Sequence, residues 1–298
     1  MEKNIIYNIK FLYWVFMLKK YLELYEYDRS KPLDAEVVKL EDRNKYIVYK
    51  VYYNGWKQRV PAILTIPKIG SKPFPCIVFL HGHGGRKEDV LALAEHTKNY
   101  GYAFFSIDAV YHGERRVEGK EIYSPDLEEL KLNTRETVID MRRGVDFLET
   151  RPEIDKNRIG YAGGSMGGII GALFISVEPR IKAAVITVPG GKLSLMIEKS
   201  EHHTVPAIRR KIKELGLSWD EIQKKLDPID PINFIHLFSP RPLQIHIGKY
   251  DKIVPAETGR LLAEKAGEPK EVYWYDAGHG LPLDIVLSRA MTFFKKYL

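Results

Sequence analysis

From about residue 45 onward the apolar positions follow two alternating rhythms. Residues 45–53 (KYIVYKVYY) are aromatic and β-branched, Asn54-Gly55 is a strong signal for a two-residue hairpin turn, and residues 56–66 return as a second strand that stops at Pro67. These two strands are expected to pair antiparallel at one edge of a sheet. Residues 75–80 (PCIVFL) are apolar throughout, as suits a strand buried on both faces of a parallel sheet. Residues 102–107, 158–161, 182–188 and 243–247 read the same way, and 271–275 form a final strand. Between them the spacing predicts helices near 88–99, 126–150, 166–177, 256–267 and 283–297. Strands alternating with helices of this length imply crossover units, hence an α/β fold with a mostly parallel twisted sheet and helices on both faces.

One stretch breaks the rhythm. Residues 191–238 follow a strand yet hold none of their own; 206–215 and 218–226 read as helices, and DPIDPINF follows. An insertion of this kind belongs at the carboxyl ends of the strands, where α/β proteins bind ligands, and is expected to form a small helical cap over a pocket. The amino end differs again. Residues 11–18 (FLYWVFML) lie between Lys10 and Lys19-Lys20, well short of the roughly 20 apolar residues that span a bilayer, and no small-residue cleavage site follows. Ile5, Ile9, Leu12, Phe16 and Leu18 roughly keep helical spacing, which predicts an amphipathic helix packed on the main domain or on a second copy in a homodimer. The alternative is a helix at residues 1–20 resting on a membrane surface. The expected layout is a helical extension over 1–36 and one main domain over 37–298, with the cap at 191–238.

Composition narrows the class. Of the 298 residues 45% are hydrophobic and 29% charged, ample apolar surface to offset chain entropy, which excludes a disordered tail protein. The one cysteine, Cys76, excludes an intrachain disulfide and points to a reducing compartment, most simply the cytoplasm. The net charge of +7 is spread over small clusters such as Arg115-Arg116 and Arg209-Arg210-Lys211 with acids nearby, a solvated surface rather than a nucleic-acid face. The high Lys and Glu content also fits a thermophile.

The chemistry centres on Gly163-Gly164-Ser165-Met166-Gly167, a G-x-S-x-G pattern with a strand running in and an apolar helix running out. Such a turn is tight enough to need glycine on both sides and holds the serine hydroxyl clear of the backbone, above a helix amino end that favours negative charge. A serine needs a base. His279, in the glycine-flanked loop DAGHG, suits that role. His246 reads as a core histidine inside an apolar strand, His96 lies mid-helix, His236 lies in an apolar stretch, and His202 and His203 lie in the cap, where they would line the pocket. The base needs an orienting carboxylate. Asp251, just past a strand end, fits; Asp276 and Asp108 are the rivals. The order Ser165, Asp251, His279 is the one this elbow architecture uses. For the oxyanion of a tetrahedral intermediate, the amide of Met166 and that of His83, or of Gly84, in the HGHGG loop are the expected donors. His81 and His83 also form an H-x-H pair, but no Asp/His cluster follows closely and Cys76 sits in an apolar strand, so no metal is expected. No cofactor is implied either, since side chains and water suffice.

These pieces in order, PAILTIP, PCIVFLHGHGG, SIDAVYHGER, RIGYAGGSMGG, RPLQIHIGKYDKIVP and DAGHG, resemble an α/β-hydrolase of the carboxylesterase, acetyl xylan esterase and dienelactone hydrolase branch. The resemblance implies Ser165 as nucleophile, His279 as general base and acid, Asp251 as orienting acid, and His83 and Met166 as oxyanion donors. It implies a structural role for Asp108 and His112. Dienelactone hydrolases carry cysteine at the elbow, where this chain has Ser165. The expected function is a serine carboxylesterase acting on small-molecule, short-chain acyl esters through an acyl-enzyme. A serine peptidase of the prolyl-oligopeptidase type and a membrane-associated lipase are the alternatives. A histidine base must be neutral, so activity is expected to fall below roughly pH 6 to 7.

Overall fold

The computed structural model describes residues 15–298. Nine strands form one sheet: β1 (Glu36–Asp42), β2 (Tyr46–Asn54), β3 (Arg59–Pro67), β4 (Phe74–Leu80), β5 (Ala103–Ile107), β6 (Ile154–Gly164), β7 (Ile181–Thr187), β8 (Leu243–Gly248) and β9 (Lys270–Tyr275), in the spatial order β1-β2-β3-β5-β4-β6-β7-β8-β9. The first three strands and the β3/β5 contact are antiparallel; every pairing from β4 onward is parallel. The helices are α1 (residues 15–23), α2 (Val90–His96), α3 (Leu127–Glu149), α4 (Met166–Val177), α5 (Leu193–Lys199), α6 (Val205–Glu214), α7 (Trp219–Leu226), α8 (Ala256–Lys265) and α9 (Leu283–Tyr297).

The apolar strands make two cores. Ile77, Phe104 and Val185 point to the face covered by α2 and α9, where Val90, Met291 and Phe294 meet them. Val78, Phe105, Tyr161 and Ile186 point to the other face, against α3, α4, α8 and the cap. Every residue of α4 is buried, which explains why its sequence is apolar all round rather than amphipathic. The amphipathic α3 starts where the Asp126 carboxylate caps the amides of Glu128 and Glu129.

Three expectations change. The sheet has a further edge strand, β1, whose residues are mostly exposed, so EVVKLED carries none of the buried alternation that marks β2. The turn after Asn54 is longer than two residues: Asn54 pairs with Arg59, Gly55 N–H donates to Gln58 O at 2.9 Å, and Asp140 Oδ1 accepts Trp56 N–H at 2.7 Å. A tertiary carboxylate therefore shapes the loop. The cap gains α5 ahead of the two expected helices, and 3-10 turns at Asp227–Ile229, Pro231–Asn233 and Ile235–Phe238 follow them.

Within α1, Leu18, Tyr21 and Leu22 pack on the main core, whereas Val15 and Phe16 are exposed; Ile5, Ile9 and Leu12 of the expected amphipathic helix lie outside the described residues. Tyr25 is fully buried after it and donates to Pro228 O at 2.7 Å. Among the described residues no helix is long and apolar enough to cross a membrane.

Candidate active site

Ser165 sits between β6 and α4 with φ 56° and ψ −119°, a conformation that costs a non-glycine residue about 1–3 kcal/mol. Its surroundings over-determine it. Ser165 N–H donates to Thr187 O on the neighbouring strand at 2.9 Å. A Cβ on Gly167 would stand 2.0 Å from Leu80 O, and one on Gly163 would stand 2.6 Å from Gly167 O. These two glycines are thus required by close backbone approach, which is why the pattern needs glycine at both flanks. Met166 is the first residue of α4, so its amide has no intrahelical acceptor.

Two further strand ends bring the remaining groups. Asp251 follows β8 and is 5% exposed; its Oδ1 accepts the amides of Ile253 at 2.9 Å and Val254 at 3.0 Å, which fixes the carboxylate. His279 follows β9. Gly248 at the end of β8 lets the histidine loop approach, since a Cβ there would lie 2.2 Å from Gly278 O. His279 Nδ1 lies 2.8 Å from Asp251 Oδ2 and Nε2 lies 2.9 Å from Ser165 Oγ. In this network Nδ1–H donates to the carboxylate and Nε2 accepts from the serine hydroxyl, a tautomer assigned from the partners.

The rival residues lie elsewhere. Asp276 is paired at the surface with Lys249 at 2.8 Å. Asp108 is completely buried and accepts from Lys87 N at 2.8 Å, Lys87 Nζ at 2.9 Å and Glu114 N at 2.9 Å, so it ties two loops together beside the site. His246 is buried in β8 between Tyr275 and Gln244, and burial lowers its pKa to about 4. His96 is on α2 against Ala92 O, and His236 lies in the last 3-10 turn of the cap. His81 is buried: Nδ1 donates to Gly82 O at 2.8 Å, Nε2 accepts Ala109 N–H at 3.2 Å, and burial holds its pKa below the usual imidazole range. Its neighbour His112 is held down to about 4 for the same reason.

The HGHGG loop passes next to the serine, with the Cβ position of Gly82 3.8 Å from Ser165 Cβ. His83 stacks on Tyr123 with centroids 5.5 Å apart and meets His202 edge-on at 4.7 Å. His202 is half-buried and its pKa is lowered to about 4, first by burial and then by the neighbouring imidazoles. The H-x-H spacing therefore does not pair its two rings at one point: His81 turns into the core while His83 turns toward the cap. Under the cap a cavity of roughly 80 Å³ opens at Ser165, walled by apolar side chains including Ile169, Leu193, Met196, Ile197, Val205 and Leu226.

The cap wall is anchored by Asp230, which the sequence did not single out. This fully buried carboxylate accepts from the amides of Lys192 at 3.0 Å, Leu193 at 2.6 Å and Ile232 at 3.1 Å and from Gln223 Nε2 at 2.8 Å. Burial raises its pKa, against the pull of those four donors. The DPIDP run around it is the only local signal.

The sequence profile of the acetyl xylan esterase family matches residues 13–280. The chain belongs to this family. It is an esterase with the α/β-hydrolase fold. The acetyl xylan esterase from Paenibacillus sp. R4 superposes with a TM-score of 0.77 at 24% identity, over 95% of this chain and 94% of that one. Acetyl xylan esterase 1 from Thermoanaerobacterium sp. JW/SL YS485 gives a TM-score of 0.76 at 19% identity, over 94% and 93%. YtaP of Bacillus subtilis (strain 168), a protein named provisionally as a hydrolase, is 24% identical across 90% of this chain and 94% of its own length. At these identities the likeness to the two solved esterases speaks for the fold.

Proposed function

We propose that this esterase is a serine carboxylesterase that hydrolyses short-chain acyl esters through an acyl-enzyme on Ser165. The observation that carries the reading is the relay Ser165 Oγ, His279 Nε2, His279 Nδ1, Asp251 Oδ2, with links of 2.9 Å and 2.8 Å, opening into a small apolar cavity. Ser165 Oγ attacks the ester carbonyl as its proton passes to His279 Nε2. Asp251, held by two amides, keeps the other ring proton on Nδ1 and stabilises the imidazolium. The amides of Met166 and His83 take the oxyanion, each such donor being worth about 3 to 4 kcal/mol in the transition state. His279 then protonates the leaving alcohol. Water enters, gives its proton to Nε2, attacks the acyl carbonyl, and the acid leaves as Ser165 recovers its proton.

The cavity limits the acyl group. A cavity of roughly 80 Å³ with an apolar wall favours short alkyl over charged acyl groups. Acetyl esters, including those on carbohydrate hydroxyls named for the family, are the substrate class that fits.

The test is hydrolysis of p-nitrophenyl esters from acetate to palmitate by the wild type and by Ser165→Ala. The expected result is a maximum at acetate to butyrate and a loss in kcat of about 10⁴-fold or more in the variant. Full activity in Ser165→Ala overturns the nucleophile. A maximum at palmitate overturns the pocket assignment, and faster turnover of chromogenic peptides than of esters overturns the substrate class.

A further inference from the structure

Three imidazoles from distant parts of the chain meet where the cap closes on the sheet. His83 comes from the loop after β4; His202 and His203 come from the segment between α5 and α6. A ring nitrogen from each lies within 4.8 Å of the other two. His83 meets both cap histidines edge-on, with ring centroids at 4.7 Å and 5.2 Å, while those two lie 4.4 Å apart. Two of the rings are already oriented by outer partners. His83 Nε2 is 3.0 Å from Glu121 Oε2, and His202 Nδ1 is 2.8 Å from Thr204 Oγ1. A carboxylate or hydroxyl on an imidazole is the usual second partner of a metal-binding histidine, and the Glu121 carboxylate offsets the charge of a cation.

Three imidazoles converging on one point suit a borderline-soft divalent ion. Zinc takes three histidine nitrogens at about 2.0–2.1 Å and leaves a fourth position for water or a carboxylate. The ring nitrogens, within 4.8 Å of one another, draw closer to reach that geometry. The one cysteine, Cys76, is buried in β4 and offers no competing ligand.

We propose that His83, His202 and His203 form a site for Zn²⁺ or an ion of its class, which ties the cap to the sheet and closes the entrance to Ser165. His83 and His202 line the same cavity as Ser165, so an ion held between them stands across the path of an ester. The closing step rests on the proposed role of Ser165; the binding site does not.

The probe is ZnCl₂ added to metal-stripped full-length protein. Calorimetry is expected to give one ion per chain with a Kd at or below the micromolar range, and the melting temperature is expected to rise. Co²⁺ in place of Zn²⁺ is expected to show the visible absorption of a four-coordinate nitrogen site. His203→Ala removes an exposed ring outside the cavity wall and is expected to weaken binding at least tenfold while its metal-free esterase rate matches the wild type. His203→Gln gives the same reading should the alanine variant fold poorly. Zn²⁺ is also expected to inhibit hydrolysis of p-nitrophenyl acetate and to slow fluorophosphonate labelling of Ser165, both reversed by a chelator. Failure to bind, or binding undiminished in both His203 variants, overturns the site. Binding and stabilisation without inhibition overturn the closing step alone. An enzyme inactive on all esters overturns the esterase reading and leaves calorimetry to decide the metal site.

Discussion

The two walls of the pocket are held by different interactions. On the sheet side the backbone does most of the positioning: Ser165 is pinned through its amide to Thr187 O, and the His279 loop through the close approach of Gly248 to Gly278 O. On the cap side the work falls to side chains. Asp230 gathers three amides and Gln223, and Ile197, Val205, Ile208 and Leu226 supply apolar packing. Bonds that join the two walls include Ser200 Oγ to Ile253 O at 2.6 Å and Glu201 N–H to Lys252 O at 2.8 Å. Backbone contacts with no room for a Cβ admit few sequences. Side-chain contacts can be retuned without disturbing the sheet. Under the proposed function, this difference puts the chemistry on the sheet wall and the choice of substrate on the cap wall.

Changes to the sheet wall carry the largest effects. After Ser165→Ala, the next largest is Gly167→Ala. The new methyl has no space beside Leu80 O, so the elbow must shift and the Ser165 hydroxyl with it. We expect kcat/KM to fall by about 10³-fold or more, since displacements near 1 Å cost about 10²-fold and the helix amide moves as well. An active Gly167→Ala enzyme, read by ester hydrolysis, would erase the contrast between the walls.

The cap responds more gently. Asp230→Ala strands three partly buried amides, at a cost in stability of about 3 kcal/mol. The lower melting temperature should come with a raised KM and a kcat within a few-fold of the wild type, because the sheet-borne relay is untouched. A kcat falling as far as in Gly167→Ala would show that the cap also positions the chemistry. The smallest effect is expected from Met196→Ala, which lengthens the cavity. The optimum should move by one or two methylenes toward butyrate or hexanoate, with a change of about fourfold per methylene, the value of one buried CH₂. An unchanged acyl profile would place the acyl group on another wall.

Much of this molecule was legible along the chain. Runs such as PCIVFL and LQIHI are apolar because both faces of the strand are covered, and local sequence carries that signal. The candidate triad was legible for a related reason. Ser165, Asp251 and His279 each follow a strand end, in loops whose glycines and turns mark them. What was missed has a different character. EVVKLED forms β1 because β2 offers a free edge. The loop after Asn54 opens because Asp140 on α3 captures Trp56 N–H, and α5 begins where Asp230 receives its first amides. Each of these depends on a partner far away in sequence.

The sequence by itself determined the α/β class, the parallel order of strands and helices, and the elbow, because burial on two faces and glycine at a crowded turn leave marks in the residues themselves. Only the tertiary structure decided that Asp251 and not Asp276 or Asp108 faces His279, that His81 and His83 part company, and that His83 meets two histidines of the cap. A side chain's direction depends on how loops from separate strands pack against one another, and no local stretch of sequence carries that packing.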